Sequence, residues 1–77
     1  MKVFGRSHMA PDLLLVMDEV TFLAGPEQLR SLANFFLSQA ERQESGTGGD
    51  HAHYSDSNGA IDGDHEVIVA DPKLLSG

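Results

Sequence analysis

The residue types able to do chemistry gather between Asp50 and Glu66. His51 and His53 stand two apart, and in a strand that spacing aims both imidazoles to one side, about 7 Å apart at Cα. Asp50, Asp56, Asp64 and His65 follow closely enough in sequence to complete a metal shell. Histidine with carboxylates suits zinc, or iron with open positions. The same pair is equally at home as surface residues of a solvated strand, packing on neighbours or touching a partner. His51, His53 and His65 are therefore metal candidates of second rank, and no cofactor is expected.

Other chemistries lack their parts. Asp56-Ser57-Asn58-Gly59 through Asp62-Gly63-Asp64 has calcium-loop residue types but neither the register nor the closing glutamate of such a loop. Ser7, Ser31 and Ser55 have no nucleophile-elbow context. Gly46, Gly48 and Gly49 follow a helical stretch, whereas a phosphate loop precedes one. A chain of 77 residues also leaves little room for a cleft that excludes water from paired carboxylates. No catalytic residue is assigned, and the protein is not expected to be an enzyme.

Binding remains. The net charge is −7, and between Gln43 and Pro72 there are seven acids and no Lys or Arg. Such a surface repels nucleic acid and speeds capture of a basic partner, besides keeping a small protein soluble. Asp50, His51, His53, Tyr54, Asp56, Asp62, Asp64 and Glu66 form the expected partner-binding surface, in which carboxylates stand in for phosphates and rings supply contact area.

These residues must be positioned by something, and Gly25–Gln43 is the clearest element. Leu29, Leu32, Ala33, Phe36, Leu37 and Ala40 recur at helical spacing, with Arg30, Asn34, Ser38 and Glu41 opposite. Pro26 suits the first helical position, Glu27 the positive end of the dipole, and Ser45-Gly46-Thr47-Gly48-Gly49, past Gln43, the stop. The remainder reads as strands. Residues 2–6 form one, with a break at Ala10-Pro11-Asp12. Leu13–Ala24 forms a second, whose alternation changes phase at Asp18-Glu19 and so predicts a bulge or kink there. His51–Asp56 forms a third and Glu66–Ala70 a fourth, whose two-sided apolar run suggests a central strand. The order ββαββ predicts a single α+β domain over residues 1–77: a two-layer sandwich of about four mainly antiparallel strands with the helix across one face.

Without cysteine there is no disulfide or thiolate zinc site. No run approaches the length of a membrane span, and the N-terminus lacks the apolar core of a secretion signal. A soluble, cytoplasmic protein that binds neither nucleic acid nor membrane is expected.

The start Met1-Lys2-Val3-Phe4-Gly5, the segment from Leu13 to Glu41 with its passage Val20-Thr21-Phe22-Leu23-Ala24-Gly25-Pro26-Glu27-Gln28-Leu29-Arg30, the strand bearing His51, His53, Ser55 and Asp56, and the terminal His65-Glu66-Val67-Ile68-Val69-Ala70-Asp71-Pro72 together resemble a small immunity-protein family from bacterial polymorphic-toxin systems. The resemblance spans nearly the whole chain. It implies a small cytoplasmic protein that binds and occludes the effector domain of a cognate toxin. Two alternatives stand beside it: a small metal-binding domain using the His-x-His strand, and a non-catalytic regulatory or interaction module whose exposed sheet face pairs with a partner or, as a homodimer, with itself.

Overall fold

The computed structural model describes residues 1–61 and 65–75. The expected ββαββ order and α+β class are present, with all four strands antiparallel to their neighbours. They form two separate two-stranded ladders on either side of the helix in sequence, β1 with β2 and β3 with β4.

The N-terminal ladder joins β1, Val3–Ser7, to β2, Ala10–Met17. Val3, Phe4 and Gly5 pair with Met17, Val16 and Leu15, after which the register slips and Ser7 pairs with Ala10. The slip leaves Pro11–Leu14 opposite Arg6 alone. A proline has no N–H to give a ladder and is tolerated at such an irregularity, so the break expected at 10–12 appears as a bulge within the strand. Arg6 Nη1 donates to the carbonyl of Pro11 across it, at 3.3 Å. The expected continuation to Ala24 is absent: residues 18–25 carry no regular structure. The phase change at Asp18-Glu19 marks the end of the strand rather than a bulge inside it.

Helix α1 runs Pro26–Ser45. Gly25 is its extended N-cap and its carbonyl accepts the first helical bond from Leu29 N at 3.0 Å. Gly46 ends it in the left-handed region, φ 74°, with its N–H donated to the Arg42 carbonyl, a conformation that glycine reaches without a Cβ penalty. The buried stripe differs from the apolar one. Leu32 and Phe35 are buried, with Gln28, Ser31, Gln39 and Gln43 half-buried at helical intervals around them. Leu29, Ala33, Phe36, Leu37 and Ala40, expected on the packed face with Leu32, are exposed.

The C-terminal ladder is short and well closed. β3, His51–His53, pairs with β4, Ile68–Ala70, as His51 with Ala70, Ala52 with Val69 and His53 with Ile68. Asp71 N donates to the Asp50 carbonyl at 2.8 Å, and Tyr54 N to the Val67 carbonyl at 2.7 Å, extending the pairing at both ends. The expected strand over 51–56 stops at His53 because Tyr54–Asp56 coil into a 3-10 turn, fixed by Ser57 N and Oγ donating to the Tyr54 carbonyl at 2.9 and 2.7 Å. β4 is an edge strand, not the central one its apolar run suggested, and Ile68 is exposed.

The core lies between α1 and this second ladder: Leu32, Phe35 and Tyr54, packed against by Ala52, Ala60, Val67 and Val69. Phe35 and Tyr54 meet edge to face, centroids 5.6 Å apart and rings at 66°, the arrangement the ring quadrupoles favour.

Candidate functional site

Tyr54 organises this region from the inside. It is 3% exposed, which removes its ring from the partner-binding surface on which it was expected. The turn that ends β3 is the cause, since it swings the side chain inward. The phenol oxygen accepts from Gln28 Nε2 at 3.1 Å and from Ile61 N at 3.0 Å. Ser31 Oγ lies 2.5 Å from it and donates its one proton to the Gly59 carbonyl at 2.9 Å, so the phenol is the donor to Ser31. A buried phenol needs such partners, and here they tie the first turns of α1 to the segment after the 3-10 turn.

With Tyr54 turned in, its neighbours point out. His51 and His53 do lie on one side of β3, ring centroids 5.3 Å apart at 67°. Beyond His53 stands Glu66, Nδ1 to Oε2 3.5 Å. Glu66 is held in place from the 3-10 turn: Ser55 Oγ donates to Oε2 at 2.5 Å, and Ser55 N and Val67 N each donate to Oε1 at 3.1 Å. The Ser55 hydroxyl bond, opposed by burial and reinforced by the two backbone bonds and His53, holds the Glu66 carboxyl below its ordinary value of 4.5. The site therefore presents a fixed anion beside two imidazoles.

Between β3 and α1 runs an open groove of about 630 Å³. His51, His53, Asp56 and Asn58 line one side, and Gln39 and Arg42 of the helix the other. Arg42 lies one residue before the stretch without Lys or Arg and is not among the expected site residues. The signal was present, because the last turn of a helix followed by a tight reversal brings its side chains back over the next strand. A smaller hollow of about 220 Å³ lies on the far side of the turn, bounded by Ser55, Gly59, Ile61 and His65.

The structure thus brings together His51, His53, Asp56 and Glu66 around β3, with Asp50 exposed at its start. Asp62 and Asp64 lie outside the described residues. His65 is not brought to the other two histidines; it meets His8 of the first hairpin's turn, ring centroids 6.0 Å apart. Among the described residues no three His, Asp or Glu side chains cluster as a metal shell would need, and no helix is long and apolar enough to cross a membrane.

What this arrangement offers is a binding surface: two rings, a fixed carboxylate and a groove with one cation supply contact area and paired charges. Among known proteins, the sequence model of the family described as immunity protein 32 matches residues 19–72, more than two thirds of the chain. No curated protein and no solved structure matches it.

Proposed function

The chain belongs to the immunity protein 32 family, and from that premise we propose that it neutralises a cognate bacterial protein toxin by binding the toxin's effector domain one to one and covering it, without catalysis and in the cytoplasm. The contact is centred on Asp50, His51, His53, Asp56 and Glu66, with Asp62 and Asp64 continuing the acidic run. The observation that carries this reading is the outward ridge of β3: the fold buries Tyr54 and leaves the imidazoles and the anchored Glu66 carboxylate facing solvent. A preformed anion loses little freedom on binding. The seven acids between Gln43 and Pro72 favour a basic effector surface and speed the encounter with it.

Co-expression with any toxin gene found beside its own tests the function. Growth is restored and a one-to-one complex is recovered; failure to bind or protect overturns the reading. The triple substitution His51→Ala, His53→Ala, Asp56→Lys tests the surface. It weakens the complex at least tenfold while the circular dichroism spectrum stays unchanged, and full protection by this variant would move the contact elsewhere.

A further inference from the structure

The chain carries two apolar surfaces that its own fold leaves uncovered. One is the first hairpin. Phe4, Leu13, Leu14, Leu15, Val16 and Met17 are all exposed, Val16 at 79%, and every residue of β2 is exposed along its whole length, so neither face of that strand is packed. The other is the stripe of α1 formed by Leu29, Phe36 and Leu37, exposed at 46, 40 and 64%. A lone two-stranded hairpin is marginal in water, and a helix buries its apolar stripe against another layer. The two surfaces are of complementary kinds, one sheet and one helix, yet they are not joined within the chain. The Cα radius of gyration, 13.3 Å, exceeds the ~11.5 Å of a compact domain of this length.

We propose that a second copy of this chain joins them: two copies dock about a two-fold axis, the β1–β2 hairpin of each lying over the Leu29–Phe36–Leu37 stripe of the other. Two features favour a second copy as the occupant. The first is area. Phe4, Leu14 and Val16, on one face of the hairpin and exposed at 49, 53 and 79%, offer about 300 Å² at roughly 150–200 Å² for a whole large apolar residue. With a similar share from the stripe of the same copy, the total is most of the apolar part of an interface burying ~800 Å² per partner. The second is charge. Residues 1–17 carry Lys2 and Arg6 against Asp12, a net +1, which leaves −8 on the rest of a chain whose total is −7. The hairpin is thus opposite in sign to the rest of the chain taken together, which favours the approach of a second copy. A basic toxin is drawn to the acidic part of the chain instead, and the hairpin lies outside the residues matched by the family, 19–72. The isologous geometry satisfies both uncovered surfaces twice with one operator. It does not depend on the toxin reading.

The chain contains no cysteine, so engineered thiols report geometry directly. Sedimentation of the full chain from micromolar to millimolar concentration gives twice the monomer mass, and Val16→Glu or Leu37→Glu, both at exposed positions, weakens the dimer at least tenfold with an unchanged circular dichroism spectrum. A Val16→Cys chain mixed with a Leu37→Cys chain under mild oxidant gives a disulfide between unlike copies as the main product. A monomer at every concentration overturns the proposal, as does a dimer indifferent to both glutamates. So does a Val16→Cys/Leu37→Cys double variant that closes its disulfide within one chain, which would place the hairpin on its own helix, and so does a dimer linked only Val16 to Val16, which would pair the strands edge to edge.

Discussion

The molecule contains two antiparallel hairpins with opposite fates. The longer one, β1–β2, has the more apolar strand and buries none of it. The shorter one, β3–β4, has three residues a side and encloses the core. Hydrophobic content does not separate them. The difference is one aromatic residue with a place to go: Tyr54 leaves the end of β3, enters a slot beside Phe35, and finds three polar groups waiting for its oxygen. The first hairpin has no such anchor. Apolar surface drives association without direction, whereas a buried polar group must meet particular partners and so selects one packing.

The widest separation between the two regions comes from truncating each. Phe35→Ala removes a ring packed on Tyr54 and costs about 3–5 kcal/mol, a large part of the ~4–12 kcal/mol expected for a domain of this size. Val16→Ala, on the exposed strand, changes folding stability by less than ~0.5 kcal/mol at concentrations where the chain is monomeric. Urea melts of the two variants give the contrast directly; equal costs would dissolve the distinction between the hairpins.

A finer cut keeps the ring and removes only the oxygen. Tyr54→Phe leaves Gln28, Ser31 and the Ile61 N–H without their shared partner and destabilises by about 1–3 kcal/mol, read as a shift in urea midpoint at constant slope. A neutral result would mean that packing alone, and not polar satisfaction, fixes this lobe.

The smallest effect belongs to the surface of the same lobe. Glu66 has its folded-state pKa lowered, so its contribution is fully present above the unfolded value and is lost as pH falls through the folded one. The wild-type chain loses this increment as the pH drops below about 4.5. Glu66→Gln lacks it and is less stable at neutral pH by ~0.5–1 kcal/mol, since the group is partly exposed. Stability measured between pH 3 and 7 shows the wild-type and variant curves converging at the acid end; parallel curves would discount the Ser55 bond.

The sequence shows where α1 begins and ends, because Pro26, Glu27 and Gly46 are local signals that do not depend on what the helix packs against. It also shows that His51 and His53 share a side, a matter of strand geometry alone. It does not show which helix stripe is buried. The apolar periodicity points to Leu29, Phe36 and Leu37, but Gln28 and Ser31 bond to the phenol of Tyr54, a residue more than twenty positions away, and that bond turns Leu32 and Phe35 inward instead. Tyr54 itself reads as one more alternating residue of a strand until Ser57 closes the turn behind it. Arg42 likewise becomes part of the groove only through a chain reversal at Gly46. Local signals are legible in sequence; long-range polar pairings that choose between two plausible packings are not.

The inward turn of Tyr54 has a consequence for how such a protein can be retargeted. Positions 51, 53 and 56 bracket the phenol in sequence, yet none of the core's hydrogen bonds runs through their side chains. A change of partner can therefore be written into these positions one substitution at a time, while residue 54 and its companions on the helix keep the same lobe folded behind each new face.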